Sequence, residues 1–276
     1  GPGLAGALIK LVGAPVALLV NAVLLLGSAL ILRGIRVYER REARPREDRL
    51  LNFWRDMKIG LHFVVGHRLL LTLAVLMGVW QMCHYAAMTV QILFATRTLG
   101  LSEQAVGLCY MGVGVGTIVG SVVGRRISLA LGPGPCLVAG YAVCGGGWLL
   151  LAVAPANAWG VAAFALMLMS FAAGAVFIFI NFLALRQAVT PEPLLGRMTS
   201  TMRWLTLLAA APGALLGGWL GEHVGLRSAL GFAGGVSVLL VVVAWRLPLI
   251  RELKVLPQPE RESDWLGAEA SVRPAE

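Results

Sequence analysis

Apolar residues run along this chain in long blocks, each bounded by charged or turn-forming residues. A bilayer core about 30 Å thick takes about 20 apolar residues of helix to cross. Seven blocks meet that length and predict transmembrane helices at about Val12–Leu32, Leu69–Phe94, Gln104–Val123, Pro135–Val153, Val161–Leu185, Thr201–Leu220 and Ala229–Leu247. The breaks at residues 96–103 (Thr-Arg-Thr-Leu-Gly-Leu-Ser-Glu) and 154–158 (Ala-Pro-Ala-Asn-Ala) read as tight turns. Between the first two spans, Leu50, Leu51, Trp54, Met57, Leu61 and Val65 recur at helical spacing, with Arg55, Asp56 and Lys58 among them. That pattern predicts an amphipathic helix lying in the membrane interface, the alternative being a solvated linker whose apolar residues approach the next span. After Leu249 the chain turns rich in Pro, Glu and Arg, the composition of a disordered tail. The expected organisation is therefore residues 1–32, a loop at 33–68, a six-helix block at 69–249 and a tail at 250–276.

Charge supplies the orientation. Of 23 Lys and Arg, 20 fall in loop 33–68, after the third and fifth spans, or at the C-terminus, and only Lys10, Arg97 and Arg227 fall on the other side. The positive-inside rule places the long loop and the C-terminus in the cytoplasm of a multi-pass protein of the inner (plasma) membrane. Composition agrees: 58% of residues are hydrophobic and 13% charged, where soluble domains carry about a quarter charged. A mean hydropathy of +0.80 excludes an ordinary water-soluble enzyme. The basic excess marks loops rather than a nucleic-acid partner, and the lipid bilayer is the surrounding expected instead.

Little else points to catalysis. Cys83, Cys109, Cys136 and Cys144 lie in apolar stretches without metal-ligand spacing and read as packing residues. There is no Walker sequence, no His-Glu-x-x-His and no loop large enough for a catalytic domain, so neither an enzyme nor a bound cofactor or metal is expected. The run Gly112-x-Gly114-x-Gly116 sits inside an apolar span with no strand before it and does not read as a nucleotide loop.

Polar groups at lipid depth are costly, so those present should face a cavity or a partner helix. In the second span Gln81, His84, Tyr85, Met88 and Gln91 fall broadly on one helical face and are candidates to line a solute pathway. His84 is a candidate proton site, although a lone helical histidine also serves as a satisfied packing residue. The fifth span adds Ser170, Gly174, Phe177 and Asn181 on one face with Phe171 beside it, a set suited to a bulky, partly apolar solute or equally to lipid-facing aromatics. All 14 acidic residues lie in loops, tail or helix ends, so no carboxylate is expected at the bilayer midplane. Gly112, Gly116, Gly120 and Gly124, and likewise Gly213, Gly217 and Gly221, recur at four-residue steps, giving helix faces of bare backbone open to close packing. Pro212 removes a backbone donor and can kink its helix.

A weak internal repeat runs through the chain: residues 6–18 and 218–230 share Gly, Gly, Ala and Leu at an offset of 212. The chain opens on an apolar stub, residues 1–9, too short to span a membrane and read as the end of a truncated helix. In this order the elements resemble the later part of a major facilitator superfamily transporter, from the end of its fifth helix through its twelfth. Gly1-Pro2-Gly3-Leu4-Ala5-Gly6 resembles the second half of the fifth-helix antiporter motif G-P-x-x-G-G, with Ala5 for one glycine. Gly120-Ser-Val-Val-Gly124-Arg125-Arg126 resembles the loop motif G-x-x-x-D-R, with Gly124 in the place of the aspartate. Thr190-Pro-Glu-Pro-Leu-Leu-Gly196-Arg197-Met198, with Pro212-Gly213 and Gly217-Gly218 after it, resembles the drug and siderophore exporter branch, similar to enterobactin-exporter and macrolide-efflux proteins.

The resemblance implies an all-α bundle of two similar halves, of which this chain carries seven complete helices. It also implies that Gly1, Pro2, Gly6, Gly112, Gly116, Gly120, Arg125, Arg126, Pro212, Gly213 and Gly217 stand at interfaces where the halves rock. The expected function is secondary active export of a small lipophilic, drug-like or siderophore-like solute, proton-coupled, by a monomer. An uptake permease and a non-transporting receptor or scaffold are the alternatives.

Overall fold

The computed structural model describes residues 2–34 and 49–257. Gly1, most of the loop after the first span and the tail from residue 258 lie outside the described residues, as do the expectations that fall on them. Every described element is helical, and seven helical segments are long and apolar enough to cross a bilayer: Pro15–Arg33, Arg68–Thr98, Glu103–Leu131, Pro133–Val153, Ala158–Ala188, Glu192–His223 and Leu226–Arg246. The chain divides into two compact units, residues 1–53 and 54–276.

The first unit holds α1 (Pro2–Arg33). It is two helices joined at Gly13, whose φ of 81° and ψ of 160° lie in a region open essentially to glycine, and Pro15 then starts the second with its φ already set. Side chains beyond Pro15 are exposed right round the axis, as at Leu18, Leu24 and Ile31. In water such a helix would be untenable, and in hydrocarbon it is in its own solvent.

The second unit contains most of α2 (Arg49–Gly66), then α3 (Arg68–Leu93), α4 (Glu103–Leu131), α5 (Pro133–Val153), α6 (Ala158–Ala188), α7 (Leu195–Leu208), α8 (Ala210–His223), α9 (Leu226–Arg246) and the single turn α10 (Pro248–Arg251). Their starts follow from local chemistry. The Ser102 hydroxyl accepts from Ala105 N–H at 3.3 Å and Asn157 Oδ1 accepts from Trp159 N–H at 2.9 Å, each taking a donor the helix cannot satisfy itself. Gly132 (φ 97°) and Gly225 (φ 115°, ψ 156°) turn the chain ahead of α5 and α9. Gly225 is the partner of Gly13 at the 212-residue offset, so the weak sequence repeat coincides with a shared backbone turn.

Several boundaries differ from the sequence reading. The turn placed at residues 96–103 begins later, because α3 continues through a π-helical turn at Phe94–Thr98 in which Leu99 N–H bonds Phe94 O at 3.1 Å. The third span runs on to Leu131, so Arg125 and Arg126 sit on exposed helix rather than in a loop. The sixth span is broken at Ala209: Pro212 has no N–H for the Leu208 carbonyl and its ring crowds that oxygen, which ends α7 and starts α8. The tail boundary at residue 250 also moves, since Ile250 is fully buried and Gly134 N–H donates to Leu253 O at 3.1 Å, docking α10 on the start of α5.

In the second unit α5 packs against α6 and α9, α4 against α6, and α3 against α8 and α9. Glycine sets these approaches. A Cβ at Gly120 would stand 2.7 Å from Ala173 Cα, and one at Gly116 would meet Met169 backbone, so α4 lies directly on α6. Gly213 and Gly217 meet the backbone of Met82 and Ala86 in the same way, laying α8 on α3. The glycine faces expected at a moving interface between halves are thus spent on contacts within this unit. Hydrogen bonds add to them: Ser128 Oγ donates to Asn181 Oδ1 at 2.8 Å between α4 and α6, and Arg227 Nη1 donates to Ala152 O at 2.8 Å between α9 and the end of α5.

The helix α2 expected in the loop is present, and the residues it buries lie beside the apolar stripe expected at the membrane interface. Gly60, Phe63 and Val64 are buried against the bundle, while Trp54, Leu61 and Val65 are exposed. The Arg197 guanidinium meets Asp56 at 3.0 Å and so fastens α2 to α7.

Candidate solute site

The one-dimensional order of the spans puts residues 68, 131, 188 and 246 at one end of the bundle, where most of its arginines also lie. In the half of the bundle nearer that end, a half-open cleft of about 350 Å³ lies between α3, α6 and α7. Gln81 lines it from α3, Phe179, Phe182 and Arg186 from α6, and Thr199 and Arg203 from α7. The volume falls within the range of about 300–1,000 Å³ of small-molecule sites.

Beyond Gln81 stands an aromatic cluster. Trp80 meets Phe179 edge-on at 5.8 Å, lies parallel to Phe171 at 6.2 Å, and stacks on His84 at 5.6 Å. His84 in turn stacks on Phe171 at 4.7 Å, with Tyr85 5.2 Å and Trp148 6.5 Å away. Because Phe179 belongs both to the cleft wall and to this cluster, a solute in the cleft would meet flat, polarizable surface at its inner end. The ring of His84 is enclosed by aromatic faces and makes no hydrogen bond to a described residue.

The candidates on the second span do not act as one surface. They share a helical face but span about 15 Å of rise, at 1.5 Å per residue, and so meet different neighbours. Gln81 enters the cleft, His84 and Tyr85 the aromatic cluster, Met88 is exposed, and Gln91 Nε2 donates to Tyr110 Oη at 2.9 Å, tying α3 to α4.

The fifth-span set faces elsewhere. Phe177 and Asn181 are buried against α4 and α5, with the Phe177 ring over Gly124 and Asn181 Nδ2 bonded to Phe177 O at 2.7 Å, while Ser170 Oγ bonds Met167 O at 2.9 Å. Together with Ser121 and Arg125, Phe177 and Asn181 border a second, smaller cleft of about 270 Å³ between α4 and α6. The two clefts lie on opposite sides of one helix: Phe179, Phe182 and Arg186 repeat at helical spacing across α6 from Phe177 and Asn181, and α6 is apolar on both sides. The signal that marks the cleft side is Arg186 itself, the one charge at the foot of that stripe.

Helices of bilayer-crossing length packed through small residues define a polytopic membrane protein, and the cleft between α3, α6 and α7 has the volume of a small-molecule site. The family model of the Major Facilitator Superfamily matches residues 1–188 and again residues 81–275, and the chain belongs to that superfamily of membrane transporters. No curated protein matches the chain.

Proposed function

We propose that this protein is a secondary active exporter of the inner (plasma) membrane, its basic end toward the cytoplasm, moving an amphipathic, drug-like or siderophore-like solute by alternating access at the expense of a proton gradient. The observation that carries this reading is the cleft between α3, α6 and α7, which is lined by Arg186 and Arg203 near the basic end and by Phe179, the edge of the aromatic cluster, deeper in. A solute taken from the cytoplasmic side would enter between arginines and come to rest against aromatic rings. The resemblance of residues 1–6 to the antiporter motif supports the outward direction. For coupling, His84 is the one histidine at mid-depth, and no described carboxylate lies there.

Flux into inside-out vesicles under an imposed proton gradient, with a panel of amphipathic solutes, tests the reading on wild type, Gln81→Ala and His84→Ala. Gradient-dependent accumulation that Gln81→Ala reduces upholds export through this cleft. Loss of proton dependence in His84→Ala assigns coupling to that ring, and unchanged flux removes it from that role. Flux of the opposite sign would make the protein an uptake permease, and no flux of any solute under any gradient would favour a receptor or scaffold.

A further inference from the structure

We infer that the cleft between α3, α6 and α7 selects organic anions: a negatively charged group between Arg186 and Arg203, with an apolar or aromatic body directed toward Phe179 and Met77. The inference rests on the cleft being the solute site, and it adds a charge preference that the apolar character of the chain does not suggest.

The polar groups of the cleft are mostly cationic or uncommitted donors. Arg186 and Arg203 both line it, and neither pairs with a carboxylate among the described residues; no acidic side chain lines the cleft. Arg186 Nε is buried without a hydrogen-bond partner. Its guanidinium is held over the Phe182 ring, 5.1 Å from the centroid, a contact that fixes the charge in place without neutralising it. The Gln81 amide and the Thr199 hydroxyl, also in the lining, make no hydrogen bond to a described residue, whereas the Thr206 hydroxyl is already bonded to Met202 O and Arg203 O. Two cations, an amide and a hydroxyl are therefore left uncommitted in one small cleft with apolar walls.

Arginine at this end of the bundle has an ordinary explanation, since basic residues anchor the orientation of a membrane protein. Arg125, Arg126, Arg246 and Arg251 meet that need while exposed; Arg203 is exposed too, and it is Arg186 that is half-buried. Orientation does not require a buried, unbonded Nε, nor a second arginine in the same cleft. A buried donor on a charged group costs free energy until something accepts from it, and a planar guanidinium suits a carboxylate, sulfonate or phosphate. A cation in the same place would meet two like charges and no acceptor stronger than an amide oxygen.

A matched pair of probes tests this. Binding of 2-naphthoate and of 2-naphthylmethylammonium, equal in ring and opposite in charge, is measured by equilibrium dialysis on the purified protein in zwitterionic nanodiscs. Naphthoate is expected to bind at least about tenfold more tightly, as charge-assisted hydrogen bonds to two arginines allow. Its affinity should fall with added salt because the cleft mouth is open to solvent. Arg186→Gln and Arg203→Gln should each weaken naphthoate by about tenfold or more, Arg186→Lys by less than Arg186→Gln, and Arg246→Gln, the same loss of charge on exposed α9, by little. Unchanged elution volume and unfolding midpoint identify the variants that keep the fold.

Equal binding of the two probes, or naphthoate binding indifferent to both arginine variants, would overturn the inference. Competition by phosphatidylglycerol added to the nanodiscs would assign the anion to a lipid headgroup and its absence to a free solute, and both uphold an anion site. The vesicle fluxes separate this inference from the export reading. Anion binding without flux leaves the site standing and removes the transporter role, while flux of cations with no naphthoate binding does the reverse.

Discussion

Gly114 and Gly116 lie two residues apart on α4, and adding one methyl group to each should have opposite effects. A Cβ at Gly114 has nothing within 4 Å. Gly114→Ala therefore gains helix propensity without a clash, a stabilisation of about 0.5–1 kcal/mol. At Gly116 the added carbon would stand 2.8 Å from Met169 C and 2.9 Å from Met169 Cα, and closer still to Met169 O. Ordinary contact begins near 3.4 Å, so α4 would have to move about 0.6 Å or more from α6, and the obstacle is helix backbone rather than the end of a side chain. A gap of 0.5–1 Å forfeits about a quarter to a half of the dispersion energy of each atom pair it opens, and overpacking of this kind costs about 1–3 kcal/mol. The propensity gain is common to both, so the two variants should differ by the overpacking cost, about 1–3 kcal/mol, about a fivefold to 150-fold difference in the unfolding equilibrium. Reversible unfolding by SDS titration in mixed micelles, followed by helical circular dichroism, measures the difference. Equal midpoints for Gly114→Ala and Gly116→Ala would refute the assignment of this face to the α4–α6 contact.

Three further outcomes follow from single contacts. Gly225→Ala places a side chain at φ 115° and should cost about 1–3 kcal/mol in the same titration, whereas Gly231→Ala, in open helix, should cost nothing. Ser128→Ala removes the 2.8 Å bond to Asn181 and should cost about 0.6 kcal/mol, while Asn181→Leu, which also crowds the buried face of α6, should cost more; equal effects would deny the bond its partner. A double-mutant cycle on Asp56→Asn and Arg197→Gln should give a coupling of about 0.2–1 kcal/mol that shrinks in high salt, because both side chains of the 3.0 Å pair are partly exposed.

The contrast between these residues and those the sequence offers first is one of locality. The existence of the spans, the turns that end at the caps Ser102 and Asn157, and the kink at Pro212 are properties of short stretches of chain, and the sequence shows the spans, the turns and the proline without the fold. Lipid acts on a helix in the same local way: it asks of about 20 consecutive residues only that they be apolar. The small-residue periodicity of α4 and α8 likewise announced close packing, though not on which helix.

Facing was decided by the tertiary structure. In a soluble helix the polar side tells the buried side apart, but α3 and α6 are apolar all round, so Phe177 and Phe179 look alike in sequence while one packs on Gly124 and the other lines the cleft. The same ambiguity hid Arg186 and Arg203 among the basic residues that set orientation; only their convergence on one cleft distinguishes them. On α2 the Trp54, Leu61 and Val65 stripe is exposed, as an interfacial helix requires, while Gly60, Phe63 and Val64 meet the bundle, a contact the stripe does not announce and that Gly60 allows by its close approach to Arg197 and Thr201. Sequence alone determined which segments are long and apolar enough to cross a membrane, seven among the described residues, since solvation by lipid is a one-dimensional condition. Which of their faces hold one another and which hold a solute is a matter of shape between distant segments, and that only the folded bundle supplies.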